Sequence, residues 1–272
     1  MIRSLADACE TAAFGAKAVH LGAAVRAGLP VPTGFAISAD EVEGVTCGEQ
    51  GPLADVHAAC VGAGWLDTPV AVRSSAIGED SEAASFAGAH ETVLAVSGVG
   101  EVVRAIRRVR ASARQPAAVA YRSRHGLLTE CRMGVVVQEL VDAQVAGVLF
   151  TRNPVTGVAE RVIEASWGLG EAVVSGMVTP DNYRVDRDGR LLERRLGEKD
   201  VSVRCRPGGG TQHVPIRGEM VNGPCLDEQD LAALHALAAA CDPVYGSPDH
   251  DIEFAFRDRV VFLLQRRPIT GG

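Results

Sequence analysis

Apolar residues recur at helical spacing over residues 16–27, AKAVHLGAAVRA, and the run meets Gly28-Leu-Pro-Val-Pro. That pattern predicts one helix, closed by glycine and proline. GFAIS (34–38) and PVAVRSS (69–75) predict short buried strands, whereas residues 40–66 between them carry a Gly-rich patch and one weak helical stretch. A polar, Gly-containing run, SSAIGEDSEAASFAGAHE, then precedes a further strand, TVLAV. It reads as a long loop, and long loops in compact domains tend to be functional. From Glu101 to about Arg124 apolar and basic residues alternate at helical spacing, with Pro116 dividing two helices. Their arginines are read as a solvated face rather than an anion site.

MGVVVQELV, VAGVLFTRNP and RVIEAS predict three strands in close succession, where a second sheet is expected to begin. WGLGEAVVSG turns on glycines into a short helix, and NYRVDRDGRLLERR predicts a hairpin with an Asp-Gly turn. Residues 226–241 form an Ala/Leu-rich helix with acidic residues in its first turn. Two apolar arms, DIEFAF and VVFLLQRRP, predict a closing hairpin. The expected fold class is therefore α+β, with two intimately joined subdomains at 1–128 and 129–272.

Composition narrows the function classes. A chain of 272 residues, 47% hydrophobic and 22% charged, supports one large core or two modest domains. The net charge is -7, the 27 basic residues are dispersed and aromatics make up 4%, so nucleic acid is not an expected partner. No apolar stretch reaches membrane-span length and the first twenty residues lack a signal-peptide pattern, so no membrane partner and a cytoplasmic location are expected. Seven scattered cysteines, with no Cys-x-x-Cys, are read as packing residues.

Three stretches combine glycine, hydroxyl and charge. Gly15 and Lys17 stand at the start of a helix, where backbone N–H groups and a lysine can hold phosphate. An apolar strand delivers Arg73 to the start of a hydroxyl-rich loop with Gly78 and Gly88, which suits phosphate binding, although an ordinary surface loop reads the same way. In the closing hairpin, alternation puts Asp251 and Glu253 on one face of the first arm, and Gln265 and Arg267 on one face of the second. Whether those faces coincide depends on turn parity. A two-residue turn at Arg257-Asp258 points Gln265 away from Glu253, whereas an odd-length turn or a bulge brings them together. If they meet, a carboxylate and an amide oxygen offer hard ligands to Mg²⁺.

GAKAVHLGAAVRAGLPVPTGFAIS, VAVRSSAIGEDSEAASFAGAHETVL, GVVVQELVDAQVAGVLFTRNPVTG, VIEASWGLGEAVVSGMVTPDNYRV and DIEFAF…VVFLLQRRPIT occur in that order. Together they resemble the nucleotide-binding domain of the phosphoenolpyruvate synthase, pyruvate phosphate dikinase and rifampicin phosphotransferase family, over nearly the whole chain. The resemblance implies an ATP-grasp fold, with ATP in a cleft between two subdomains, and ATP and Mg²⁺ as cofactors. It also implies roles for single residues. Lys17 and Arg73 match the phosphate-contacting cations, Gly88 and Thr92 the phosphate loop, and Gln138 the nucleotide pocket. Glu253 and Gln265 match the metal ligands, Arg267 contacts the transferred phosphate, and Asp251 supports the metal. On the same grounds an odd-length hairpin turn is expected. The family's first motif usually runs Gly-Gly-Lys; here Phe14 and Ala16 flank Gly15, so a tighter loop is expected with the lysine retained.

In that family ATP gives a phosphoryl or pyrophosphoryl group to a histidine on a separate swivelling domain. None of the seven histidines here has the expected Gly-rich, hydroxyl-His context. A separate phosphohistidine and substrate-domain protein is therefore the expected partner. Two other readings stay open: a stand-alone ATP-grasp kinase or ligase acting on a small molecule, and a non-catalytic nucleotide-binding module.

Overall fold

The computed structural model describes residues 1–78, 91–116, 119–120 and 131–269. Strand β1 (Ile2–Ser4) leads through one 3-10 turn into helices α1 (Thr11–Phe14) and α2 (Ala16–Arg26). Then come β2 (Gly34–Ile37), α3 (Ala39–Cys47), α4 (Gln50–Gly62), β3 (Val70–Ala76), β4 (Thr92–Val96), α5 (Val99–Ser112) and β5 (Met133–Glu139). These strands form one antiparallel sheet in the order β1-β2-β5-β3-β4.

Alternation gives that sheet two faces. Val70, Val72, Val135, Val137, Phe35 and Ile37 enter one buried cluster with Val42, Val45, Val56, Ile106 and Val109 from α3, α4 and α5. Ala71, Arg73 and Ser75 lie on the other face, opposite Gln138, Val136 and Gly134. Residues 40–66, expected to hold one weak helical stretch, form both α3 and α4. Gly44 lowers helix propensity, yet a Cβ there would lie 2.5 Å from Pro52 Cγ, so the glycine is what lets α4 pack on α3. Gly48, at φ +81°, ends α3 with its N–H and that of Glu49 returned to the carbonyls of Val45 and Gly44. On α5, Arg104 pairs with Glu101 and Arg108 with Glu91 at the surface, which is the solvated arginine face the pattern predicts. The second helix expected after Pro116, and the long loop that holds Gly88, fall largely outside the described residues.

The remaining strands are β6 (Val145–Phe150), β7 (Arg161–Trp167), β8 (Asp181–Val185), β9 (Leu191–Arg195), β10 (Val201–Cys205), β11 (Thr211–Pro215), β12 (His250–Arg257) and β13 (Val260–Pro268). Helix α6 (Glu171–Val174) follows β7, and α7 (Glu228–Tyr245) precedes β12. A six-stranded antiparallel sheet runs β13-β12-β6-β7-β8-β9, and β10-β11 is a separate ribbon. Ile252, Leu149, Ile163 and Tyr183 form one buried cross-strand row on the face that α7 covers with Leu231, Leu234 and Leu237. A capping box starts α7: Asp227 accepts from the N–H groups of Gln229 and Asp230, while Asp230 accepts from the N–H of Asp227.

The chain divides into two compact units: Met1–Arg26, Pro32–Leu140 and Arg206–Gly210 form one; Ala27–Val31, Val141–Cys205 and Thr211–Gly272 the other. The main division falls after Leu140 rather than after residue 128. Strand β5, expected to open the second sheet, instead sits at the centre of the first, between β2 and β3. Its residues are buried on both faces through Gln138, which suits a central strand better than an edge.

Candidate functional site

In the first unit, Gly15 fixes the start of α2. Its φ of 79° and ψ of 164° lie in a region essentially confined to glycine, and a Cβ there would lie 2.1 Å from the Ser75 carbonyl oxygen. The tight turn lets the N–H of Ala18 donate to Ser75 Oγ at 3.1 Å, so strand β3 caps the helix that carries Lys17. Lys17 thereby stands in the first turn of α2, half-buried, beside the strand that carries Arg73. Arg73, 7% exposed, has Thr92 opposite it on one side and Val136 on the other. Gln138 is also buried, and its amide nitrogen donates to the Pro32 carbonyl at 3.1 Å. Lys17, Arg73, Thr92 and Gln138 are thus all carried by one unit, and Gly88 lies outside the described residues. Replacing Gly15 by alanine is expected to lower stability by about 1–3 kcal/mol from backbone strain alone. Thermal melts and ATP titration of the variant check this, and an unchanged melting temperature would contradict it.

In the second unit the closing hairpin resolves the parity question. Its turn is not odd-length: Arg257 pairs with Val260 across a two-residue turn in which Asp258 and Arg259 have φ of 52° and 66°. That register alone pairs odd positions with even ones. A bulge then shifts it, so that Phe254 opposes Leu263 but Glu253 opposes Gln265, with Leu264 the extra residue. The expected meeting of Glu253 and Gln265 therefore occurs through the bulge and not through the turn. Asp251 and Arg267 are likewise opposite one another on the same face.

Arg267 bridges the acidic residues of that face. Its Nε lies 3.3 Å from Asp251 Oδ2, and its Nη2 donates to Glu253 Oε1 at 3.4 Å. The face thus already balances two carboxylates with a cation. Two carboxylates and an amide oxygen are hard oxygen donors, and they fit Mg²⁺. Among the described residues no group of three or more His, Cys, Asp or Glu could hold a metal ion. Such a donor set suits a Mg²⁺ that completes its shell with water and substrate phosphates.

The sequence reading missed Glu164. Strand pairing runs Gln265, Glu253, Val148, Glu164, Asn182 across the sheet, so Glu164 shares the polar face with Glu253, one strand removed. Asn182 donates to its Oε1 at 3.5 Å. Strict alternation in RVIEASW was the available signal, since Val162, Glu164 and Ser166 must point away from Ile163 and Ala165.

Residues 52–272 match the family described as pyruvate phosphate dikinase, AMP/ATP-binding domain. A probable phosphoenolpyruvate synthase of Methanothermobacter thermautotrophicus is 36% identical over 94% of this chain and 44% of its own length. A rifampicin phosphotransferase of Streptomyces sp is 35% identical over 97% of this chain and 35% of its own. The chain thus spans less than half the length of these relatives. A solved L-amino acid ligase of Bacillus licheniformis superposes with a TM-score of 0.44 at 13% identity, over 95% of this chain and 43% of that one.

Proposed function

Because this chain belongs to the family of pyruvate phosphate dikinase AMP/ATP-binding domains, we propose that it is the ATP-using component of a phosphotransferase of the phosphoenolpyruvate synthase and dikinase type. It gives a phosphoryl or pyrophosphoryl group from Mg-ATP to a histidine on a separate carrier domain or chain. The observation that carries this reading is the bulge in β13, which puts Gln265 opposite Glu253 and leaves Arg267 opposite Asp251. A hairpin that only had to close a sheet needs no such shift.

Each side chain then has a distinct task. Lys17 and Arg73 neutralise phosphate charge, and Arg73 is held rigidly enough by its buried strand to do so without reorganising. Thr92, at the start of β4 opposite Arg73, and Gly88 would contact the phosphates, and Gln138 the nucleotide pocket. Glu253 and Gln265 would hold Mg²⁺, with Asp251 beside Glu253 on the same face. Arg267, paired with Asp251 and Glu253 on that face, would contact the transferred group. When bound, Mg²⁺ would offset the negative charge that develops in transfer. The carrier histidine is supplied from outside the described residues.

The test is nucleotide chromatography after incubation with Mg-ATP, alone and with a purified phosphohistidine domain of a phosphoenolpyruvate synthase. AMP formed only with the carrier, together with acid-labile label on its histidine, is the expected result. ADP released to a small acceptor without any carrier would replace this reading with that of a direct kinase or ligase.

A further inference from the structure

A buried polar cluster lies on the opposite face of the same hairpin, beneath α7. His250, on β12, is fully buried. Its Nδ1 is 2.9 Å from Arg266 Nε, and its Nε2 is 3.1 Å from Asp242 Oδ1 on α7. An arginine Nε can only donate, so Nδ1 must accept, and the imidazole is the neutral tautomer that donates from Nε2 to Asp242. Burial, reinforced by the charge of Arg266, pulls the His250 pKa down to about 4, which keeps it neutral at ordinary pH. Arg266 is itself 5% exposed, stacks 4.3 Å over the Tyr245 ring and donates to the Asp249 carbonyl at 3.4 Å. The His250 backbone N–H donates to Thr151 Oγ1 at 2.6 Å, tying the cluster to the end of β6.

Position gives this cluster its meaning. His250 immediately precedes Asp251, and Arg266 stands between Gln265 and Arg267. Arg266 lies opposite Ile252, and His250 opposite Pro268, so the His250–Arg266 bond runs diagonally between the two arms. It passes directly behind the Asp251–Arg267 pair. The bulge at Leu264 shifts the ladder just beyond, and the shifted register runs from Glu253–Gln265 to His250–Pro268, the stretch that the His250–Arg266 bond spans.

We propose that Asp242, His250 and Arg266 form a positioning clamp that supports the shifted register of the two arms, so that Asp251, Glu253 and Gln265 converge on one Mg²⁺ with Arg267 beside them. This rests on the metal-site reading above and deepens it. None of the three touches the ligand; they act through the residues beside them.

The experiment measures ATP affinity by calorimetry with Mg²⁺ and with EDTA, for the whole chain and for variants. Arg266→Met and His250→Leu are expected to lose at least tenfold of the Mg²⁺-dependent gain in affinity, while affinity in EDTA stays within twofold. His250→Asn, whose amide oxygen can accept from Arg266 near the Nδ1 position, is expected to retain most of the gain. Loss of packing alone would lower affinity in both conditions and would not be rescued by asparagine. Asp242→Ala changes a partly exposed side chain and serves if the buried variants fail to fold; a threefold loss of the Mg²⁺ gain is expected. If folded Arg266→Met, or folded Asp242→Ala where Arg266→Met does not fold, keeps the wild-type Mg²⁺ gain, the clamp is overturned. If the wild-type protein binds ATP with no Mg²⁺ gain at all, the metal-site reading fails first and the clamp falls with it.

Discussion

Replacing Glu253 by glutamine is expected to reduce carrier-dependent AMP formation by at least about 100-fold, equivalent to about 2.7 kcal/mol in the transition state. The substitution preserves shape and hydrogen-bonding capacity but removes the charge that faces Gln265 across the bulge. A neutral amide is a poorer ligand for a hard divalent cation than a carboxylate, so the Mg²⁺ concentration for half-maximal rate should rise as the maximal rate falls. Stability should scarcely change. Glu253 touches Arg267 at 3.4 Å in a partly exposed pair, and Arg267 keeps Asp251 as a second partner at 3.3 Å. Pairs of this kind contribute about 0–1 kcal/mol. Steady-state rates over a Mg²⁺ series, with a thermal melt as control, decide the matter. A variant with wild-type rate and Mg²⁺ dependence would remove Glu253 from the metal site and, with it, the strongest structural support for phosphotransfer.

The hairpin shows which parts of this protein its sequence discloses. Alternation alone assigned Asp251, Glu253, Gln265 and Arg267 to faces, because strand periodicity is local and strict. It could not bring the two faces together, since that depends on a single extra residue in VVFLLQRR, where Leu263 and Leu264 are chemically identical. The two-residue turn lies one residue beyond the Arg257-Asp258 position considered from the sequence, at Asp258 and Arg259. Both adopt positive φ without glycine or asparagine, the residues that usually mark such turns. The placement of β5 was hidden for a different reason. Its run of valines specifies a strand buried on both faces but not its neighbours, and those come from β2 and β3, far away in sequence. By contrast α2 was legible to within a residue, because Gly15 before it and the Gly-Leu-Pro segment after it act locally. Glu164 was obscured by its neighbours, since one carboxylate in an apolar strand reads as an incidental charge until the sheet puts it on the same face as Glu253, with Val148 between them.

The second unit also holds a buried ion pair that sequence patterning did not reveal, and its disruption is expected to be the largest stability effect in the molecule. Lys199 and Asp181 are both fully buried and bonded to one another. Asp181 further accepts from the backbone N–H groups of Cys225 at 2.8 Å and Gly197 at 2.9 Å, and from Tyr183 Oη at 3.2 Å. The carboxylate therefore joins strand β8 to the segments before β10 and before α7. Burial holds the Tyr183 hydroxyl and Cys225 thiol in their protonated forms, so Lys199 supplies the compensating charge within the cluster. Lys199→Met removes that charge and leaves a buried carboxylate, which costs about 3–5 kcal/mol. For a unit of this size the melting temperature should fall by roughly 6–20 °C. The double variant Lys199→Met with Asp181→Asn removes both charges and should recover part of the loss, because an uncharged amide needs no counterion while its oxygen can still accept a backbone N–H. Melts of the two singles and the double, arranged as a double-mutant cycle, measure this directly. If the losses simply add, Lys199 and Asp181 are not energetically linked. A subadditive cycle would identify the pair as the electrostatic tie that holds the connections between β8, β10 and α7, in the same unit as the closing hairpin.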